Sequence, residues 1–110
     1  MDSILTSVKK LLGIAEEDTS FDTDLIIHIN SVFSILIQLG VGSPEGFSIE
    51  DNTAVWTDFI KDGTNLELVK SYVYMKVRLL FDPPTSSSAI ETSKSLINEL
   101  EWRINVTVDH

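Results

Sequence analysis

The chain contains no cysteine in its 110 residues. That excludes a disulfide framework, a thiolate metal site and a cysteine nucleophile. Basic residues are scarce. Lys and Arg total 8 against 17 Asp and Glu, a formal net charge of −9. This acid excess argues against ordinary nucleic-acid or anionic-membrane binding, since both need a basic face. Long apolar runs are also missing. The most apolar window, 25–41, is interrupted by His28, Asn30, Ser31, Ser34 and Gln38. A membrane span needs ~20 predominantly apolar residues. Met1-Asp2-Ser3 shows no basic stretch leading into an apolar run, so no signal peptide is expected.

Recognisable site motifs are equally thin, and no metal or cofactor is expected. His28 has no second histidine near it, and the acid clusters lack the ligand spacing of a calcium loop. Gly40-x-Gly42 follows a predicted helix rather than a strand and lacks the lysine of a phosphate loop. Asp24, His28 and Ser31 fall at i, i+4 and i+7. One straight helix supplies such a set with no oxyanion donors, so a solvent-facing polar stripe explains it better than catalysis.

What is present is helical periodicity on a chain long enough for one domain. A first helix over about 2–12 puts Ile4, Leu5, Val8, Leu11 and Leu12 on one side, with Asp2 as its cap and Gly13 as its stop. A second starts at Asp22 as N-cap, with Phe21 stapled to Ile26, and runs to Leu39. Residues 40–52 read as a loop, and a short helix follows over 53–60. Lys61-Asp-Gly63 breaks it. A capping box of Thr64 and Glu67 opens the fourth helix, which Asp82-Pro83-Pro84 ends at Phe81. A second box, Ser88 with Glu91, opens the fifth, whose Ala89, Ile90, Leu96, Ile97, Leu100 and Ile104 share a stripe. The expected fold is therefore all-α: a bundle of about five helices over 1–104, with an extended tail over 105–110.

The second and fourth helices carry more apolar side chains than a one-sided stripe of ~100° requires. Either they are the central helices of a monomeric bundle, or part of their surface meets another subunit. Trp56 and Trp102 are expected to be core or interface anchors. Trp56, Phe59, Tyr72 and Tyr74 are the candidate subunit-interface residues. The charge is uneven. Residues 1–63 hold 11 acids and 3 bases, netting −8, while 64–110 hold 6 acids and 5 bases, netting −1.

Three stretches carry a family resemblance: Asp22-Thr-Asp-Leu-Ile-Ile-His-Ile-Asn-Ser-Val-Phe-Ser-Ile-Leu-Ile-Gln-Leu-Gly40, Val69-Lys-Ser-Tyr-Val-Tyr-Met-Lys-Val-Arg-Leu-Leu-Phe-Asp-Pro-Pro84, and Leu96-Ile-Asn-Glu-Leu-Glu-Trp-Arg-Ile-Asn-Val106. Together they resemble the small head–tail connector (adaptor) proteins of tailed bacteriophages and prophages, over residues 2–106. The resemblance implies an all-helical structural protein without catalytic residues. It implies a ring, commonly of about twelve copies, below the portal protein. Such a ring extends the DNA channel and docks the next head-closure (stopper) or tail component. It also implies residence in the virion neck, with assembly in the host cytoplasm. The C-terminal segment of such proteins often reaches the portal, which makes Trp102, Asn105, Val106 and Val108 candidate portal contacts. An acidic, arginine-free first half suits a channel through which double-stranded DNA slides without sticking. Glu16, Glu17, Asp18, Glu45, Glu50 and Asp51 are the candidate channel-lining acids. The competing expectation is a small acidic helical interaction module, such as a prophage-encoded regulator.

Overall fold

The computed structural model describes residues 3–42, 45–60 and 66–108, with side chains to residue 106 in the last helix. The Asp2 cap, the 61–63 break and the Thr64 half of the fourth helix's capping box lie outside them. Five helices follow one another: α1 (Ile4–Leu12), α2 (Asp22–Gln38), α3 (Trp56–Phe59), α4 (Leu66–Phe81) and α5 (Ser87–Val108). No strand forms among the described residues; one isolated antiparallel bridge joins Ser3 to Val55. The all-α expectation holds.

Helix α1 is capped by Ser3, whose hydroxyl accepts the Thr6 amide at 3.2 Å. At its other end Gly13 sits at φ 79° and the Ile14 amide returns to the Lys9 carbonyl at 2.9 Å, a Schellman close. The Ile4 amide also bonds the Ala54 carbonyl at 2.9 Å, pinning the start of α1 to the approach to α3.

Asp22 lies inside the first turn of α2, not at its cap; Phe21 occupies the cap without a side-chain bond. The reason is Lys9. Its ammonium is buried, pairs with the Asp22 carboxylate at 2.9 Å and donates to the Glu16 carbonyl at 3.0 Å. A buried ammonium needs such partners, and this one claims the carboxylate that would otherwise cap the helix. Phe21 turns its ring edge-on to Phe81, centroids 5.5 Å apart. His28 of α2 also meets Phe81, at 6.4 Å. The start of α2 therefore lies beside the end of α4, and the two run antiparallel.

Leu25, Ile29, Val32, Phe33 and Leu36 of α2 are buried with Val69, Tyr72, Val73 and Val77 of α4. Ile97 and Ile104 of α5 complete that core. Phe33 centres an aromatic cluster with Phe59 at 4.4 Å, Phe47 at 5.2 Å and Trp56 at 6.3 Å. The short helix is shorter than expected: residues 53–55 run extended into it, and the Asp58 carboxylate accepts the Val55 amide at 2.8 Å.

The α4–α5 pair is an antiparallel hairpin. The Tyr72 hydroxyl donates to the Glu101 carboxylate across it at 2.7 Å. Helix α5 begins one residue before the expected cap. Ser86, not Ser88, accepts the Ala89 amide, at 3.1 Å. The expected extended tail is corrected over 105–108. Those residues continue the helix to Val108. Buried Ile104 anchors the last turns, and the Glu99–Arg103 pair, 2.8 Å apart, braces the preceding one.

Candidate functional site

The acidic loops are built, not loose. The described residues of 40–52 contain no helix or strand, yet Asn30 of α2 holds them with two bonds. Its side-chain amide donates to the Ile49 carbonyl at 3.0 Å, and its side-chain oxygen accepts the Ile49 amide at 2.8 Å. Val41 and Ile49 are buried, and Phe47 packs on Phe33 and Phe59. Gly42, at φ 79°, passes so close to Phe59 that a Cβ would lie 2.8 Å from the ring. Only glycine fits that backbone and that gap. Glu45, Glu50 and Asp51 are exposed on this loop, as are Glu16 and Glu17 on the α1–α2 loop, while Asp18 is half-buried. Bonds from the Ser20 hydroxyl and amide hold Asp18 below the usual carboxylate range. Thr53 does the same for Asp51. Both carboxylates are thus firmly ionised at neutral pH. Lys9 ties residue 16 to the start of α2, whereas Asn30 ties residue 49 to its middle. Eight residues of helix separate these ties, or about 12 Å.

Trp56, Phe59 and Tyr72, three of the four residues expected at a subunit interface, fill the protomer's own core. Trp56 donates its indole N–H to the Ser7 hydroxyl at 3.4 Å and lies under the Lys70 ammonium, 5.7 Å from its ring. Burial and the Glu101 carboxylate push the Tyr72 phenol well above the usual tyrosine value. Tyr74, the fourth, is half-buried, edge-on to Trp56 at 5.9 Å. The apolar side chains left in solvent are different ones: Leu11, Phe21, Ile27, Leu80, Leu96, Trp102 and Val106. Trp102 is 66% exposed. It points away from the core because it lies two residues from buried Ile104, about 200° around the helix. Asn105 is exposed beside it, and the Val108 side chain lies outside the described residues.

Leu11, Leu80 and Leu96 look like core residues in sequence, since each follows a helical stripe, and Phe21 looks like a staple onto Ile26. Nothing in the pattern reveals which stripe positions a partner helix fails to cover. A further feature invisible in sequence is a recess of about 610 Å³ on α1, lined by Thr6, Ser7, Lys10, Ile14 and Glu16 among others. A smaller one of about 260 Å³ adjoins it, sharing Ser7 and Lys10 and reaching Leu11 and Tyr74. Asp24 and Ser31 are exposed, His28 is half-buried against Phe81, and no hydrogen bond links the three. They do not form a working triad. Among the described residues, no three His, Asp or Glu side chains gather into a metal-binding group, and no helix is long and apolar enough to cross a membrane.

Among the described residues the chain is all helical and leaves apolar side chains exposed on four of its helices. A family model described as phage connector protein matches residues 4–110. The chain belongs to the phage connector family. This is a structural family, and it places the chain in the neck of the phage virion. No curated protein and no solved structure matches the chain.

Proposed function

We propose that this connector assembles into a homo-oligomeric ring of about twelve subunits below the portal protein, extends the DNA channel, and docks the next head-closure or tail component. The observation that carries the reading is the family match over 4–110 on a chain with seven large apolar side chains in solvent among its described residues. Burying those groups against copies and neighbours supplies association energy in proportion to area, at about 25 cal/mol per Å² before the costs of association. The exposed acids Glu16, Glu17, Glu45, Glu50 and Asp51, with Asp18, would line the passage. Fixed negative charge there repels the phosphate backbone and denies it the counterion release that makes basic surfaces sticky. The last turn of α5, from Asn105 to Val108, is offered to the portal.

A cryo-EM reconstruction of the phage neck tests this. The expected result is a closed ring of this chain beneath the portal with residues 16–18 and 45–51 facing the lumen. A ring carrying those acids on its outer rim would sink the channel assignment. A chain absent from the neck would sink the whole reading.

A further inference from the structure

We propose that, in the ring put forward above and resting on that reading, the subunits join head to tail, with Trp102 of one copy seated in the α1 recess of the next. Three observations meet here. The first is position. Tyr72 of α4 bonds Glu101 of α5, whereas Tyr74 of α4 lines the smaller hollow, which shares Ser7 and Lys10 with the α1 recess. Two residues apart on one helix means about 200° of rotation. Helix α5 and the smaller hollow, with the recess adjoining it, therefore lie on opposite flanks of α4. A protruding anchor on one flank and a hollow on the other make a heterologous contact, the kind that closes into rings larger than a dimer.

The second observation is fit. Trp102 is the most exposed large apolar side chain of the described residues, and a tryptophan seated in a pocket is the commonest kind of interface anchor. The recess of about 610 Å³ has an apolar wall at Ile14 and hydroxyls at its rim. Those hydroxyls give the indole N–H an acceptor, which a buried tryptophan requires.

The third is charge. A subunit of net charge −9 repels its own copies unless its few bases are placed at the contact. Lys10 is the one exposed lysine among the described residues of 1–63, and it lines both hollows. Glu16 stands at the same rim. Beside Trp102, Glu99 and Arg103 form an ion pair. Docking sets Lys10 against Glu99, opposite charges across the contact. The Lys10 ammonium also comes within reach of the indole face.

The absence of native cysteine gives a clean test. One full-length variant carries Leu11→Cys and a second carries Asn98→Cys; both positions are exposed. A short bis-maleimide should link the two variants when they are mixed and neither variant to itself. The double variant should give a ladder of dimer, trimer and higher species. Trp102→Ala should weaken multimer formation about 30-fold with an unchanged melting temperature. Lys10→Glu should abolish the ladder, and adding Glu99→Lys should restore it. A single variant that links to itself means an isologous contact and overturns the inference. So does a missing ladder when native mass spectrometry shows wild-type species larger than dimers; the ring reading then survives. So does a bond from position 98 to a different neck protein in assembled particles. Wild-type chain that never exceeds a dimer, alone or in the neck, overturns the ring reading and this inference with it.

Discussion

Lys9 shows how one side chain sets a local structure that its neighbours in sequence do not specify. Its stem follows the buried stripe of α1 while its ammonium is held by Asp22 and the Glu16 carbonyl. Lys9→Met keeps the stem but leaves Asp22 half-buried without its cation. The expected loss is about 2–3 kcal/mol, read as a lower urea midpoint with unchanged slope. Tyr72 is the second such residue. Tyr72→Phe removes the donor to Glu101 and should cost about 1–2 kcal/mol. The pH dependence follows from the raised phenol. Above the unfolded value of about 10, the unfolded chain gives up a proton that the folded chain retains. Stability is therefore full below that pH and falls as pH rises through the folded value. Alkaline unfolding followed by circular dichroism should decline more gently in Tyr72→Phe. A decline equal to wild type would show that another group governs it. Asp18 and Asp51 act in the opposite direction. Their folded values are lowered, so the turns they hold are secure above ~3.9 and loosen as pH falls through the folded values.

At the scale of elements, the 40–52 loop and α5 carry the contrast between what sequence shows and what it hides. The glycines and proline of the loop announce irregular backbone, and they do so correctly. That Asn30, 19 residues away, replaces a missing backbone partner for Ile49 is a tertiary fact. Asn30→Ala should speed amide exchange at Ile49 by about tenfold or more, as expected for a lost bond worth ~1–2 kcal/mol. Unchanged exchange would mean that the aromatic packing alone holds the loop. The helices are legible because burial on one side imposes a period of 3.6 residues. Their caps are less so: Asp22 and Ser88 are good capping residues in isolation, but Lys9 takes the first and Ser86 starts α5 before the second. The alternation of Val106-Thr-Val108 suggests a strand, yet the helix runs on through it from buried Ile104. Helical carbon chemical shifts at Asn105 and Val106 in solution check this; strand-like shifts would contradict it. Trp56 is legible as a core or interface anchor, but the pattern does not say that it, Phe59 and Tyr72 all turn inward. Which stripe ends up covered depends on the neighbours that the fold supplies.

For the whole molecule, charge and shape set the terms. The free subunit, at −9, should show no retention of double-stranded DNA in gel shift even at about 50 mM salt, where basic proteins bind hardest. Salt-sensitive retention would contradict a channel wall that lets DNA pass. The body is a flattened plate, 40 × 36 × 20 Å. Its segments between helices are fastened by specific bonds: the α1–α2 loop by Lys9, the long loop by Asn30, and the α3 approach by the Ile4–Ala54 contact. For the proposed ring this fastening has an arithmetic consequence. Closure at about twelve copies requires each subunit to turn the next by ~30°, and errors in that angle accumulate around the circle. A pliant subunit would close with one copy too few or too many almost as readily as with the right number. In that proposed ring the buried lysine and the pinned loop would act as the molecule's protractor: by fixing the wedge before assembly starts, they would fix the count.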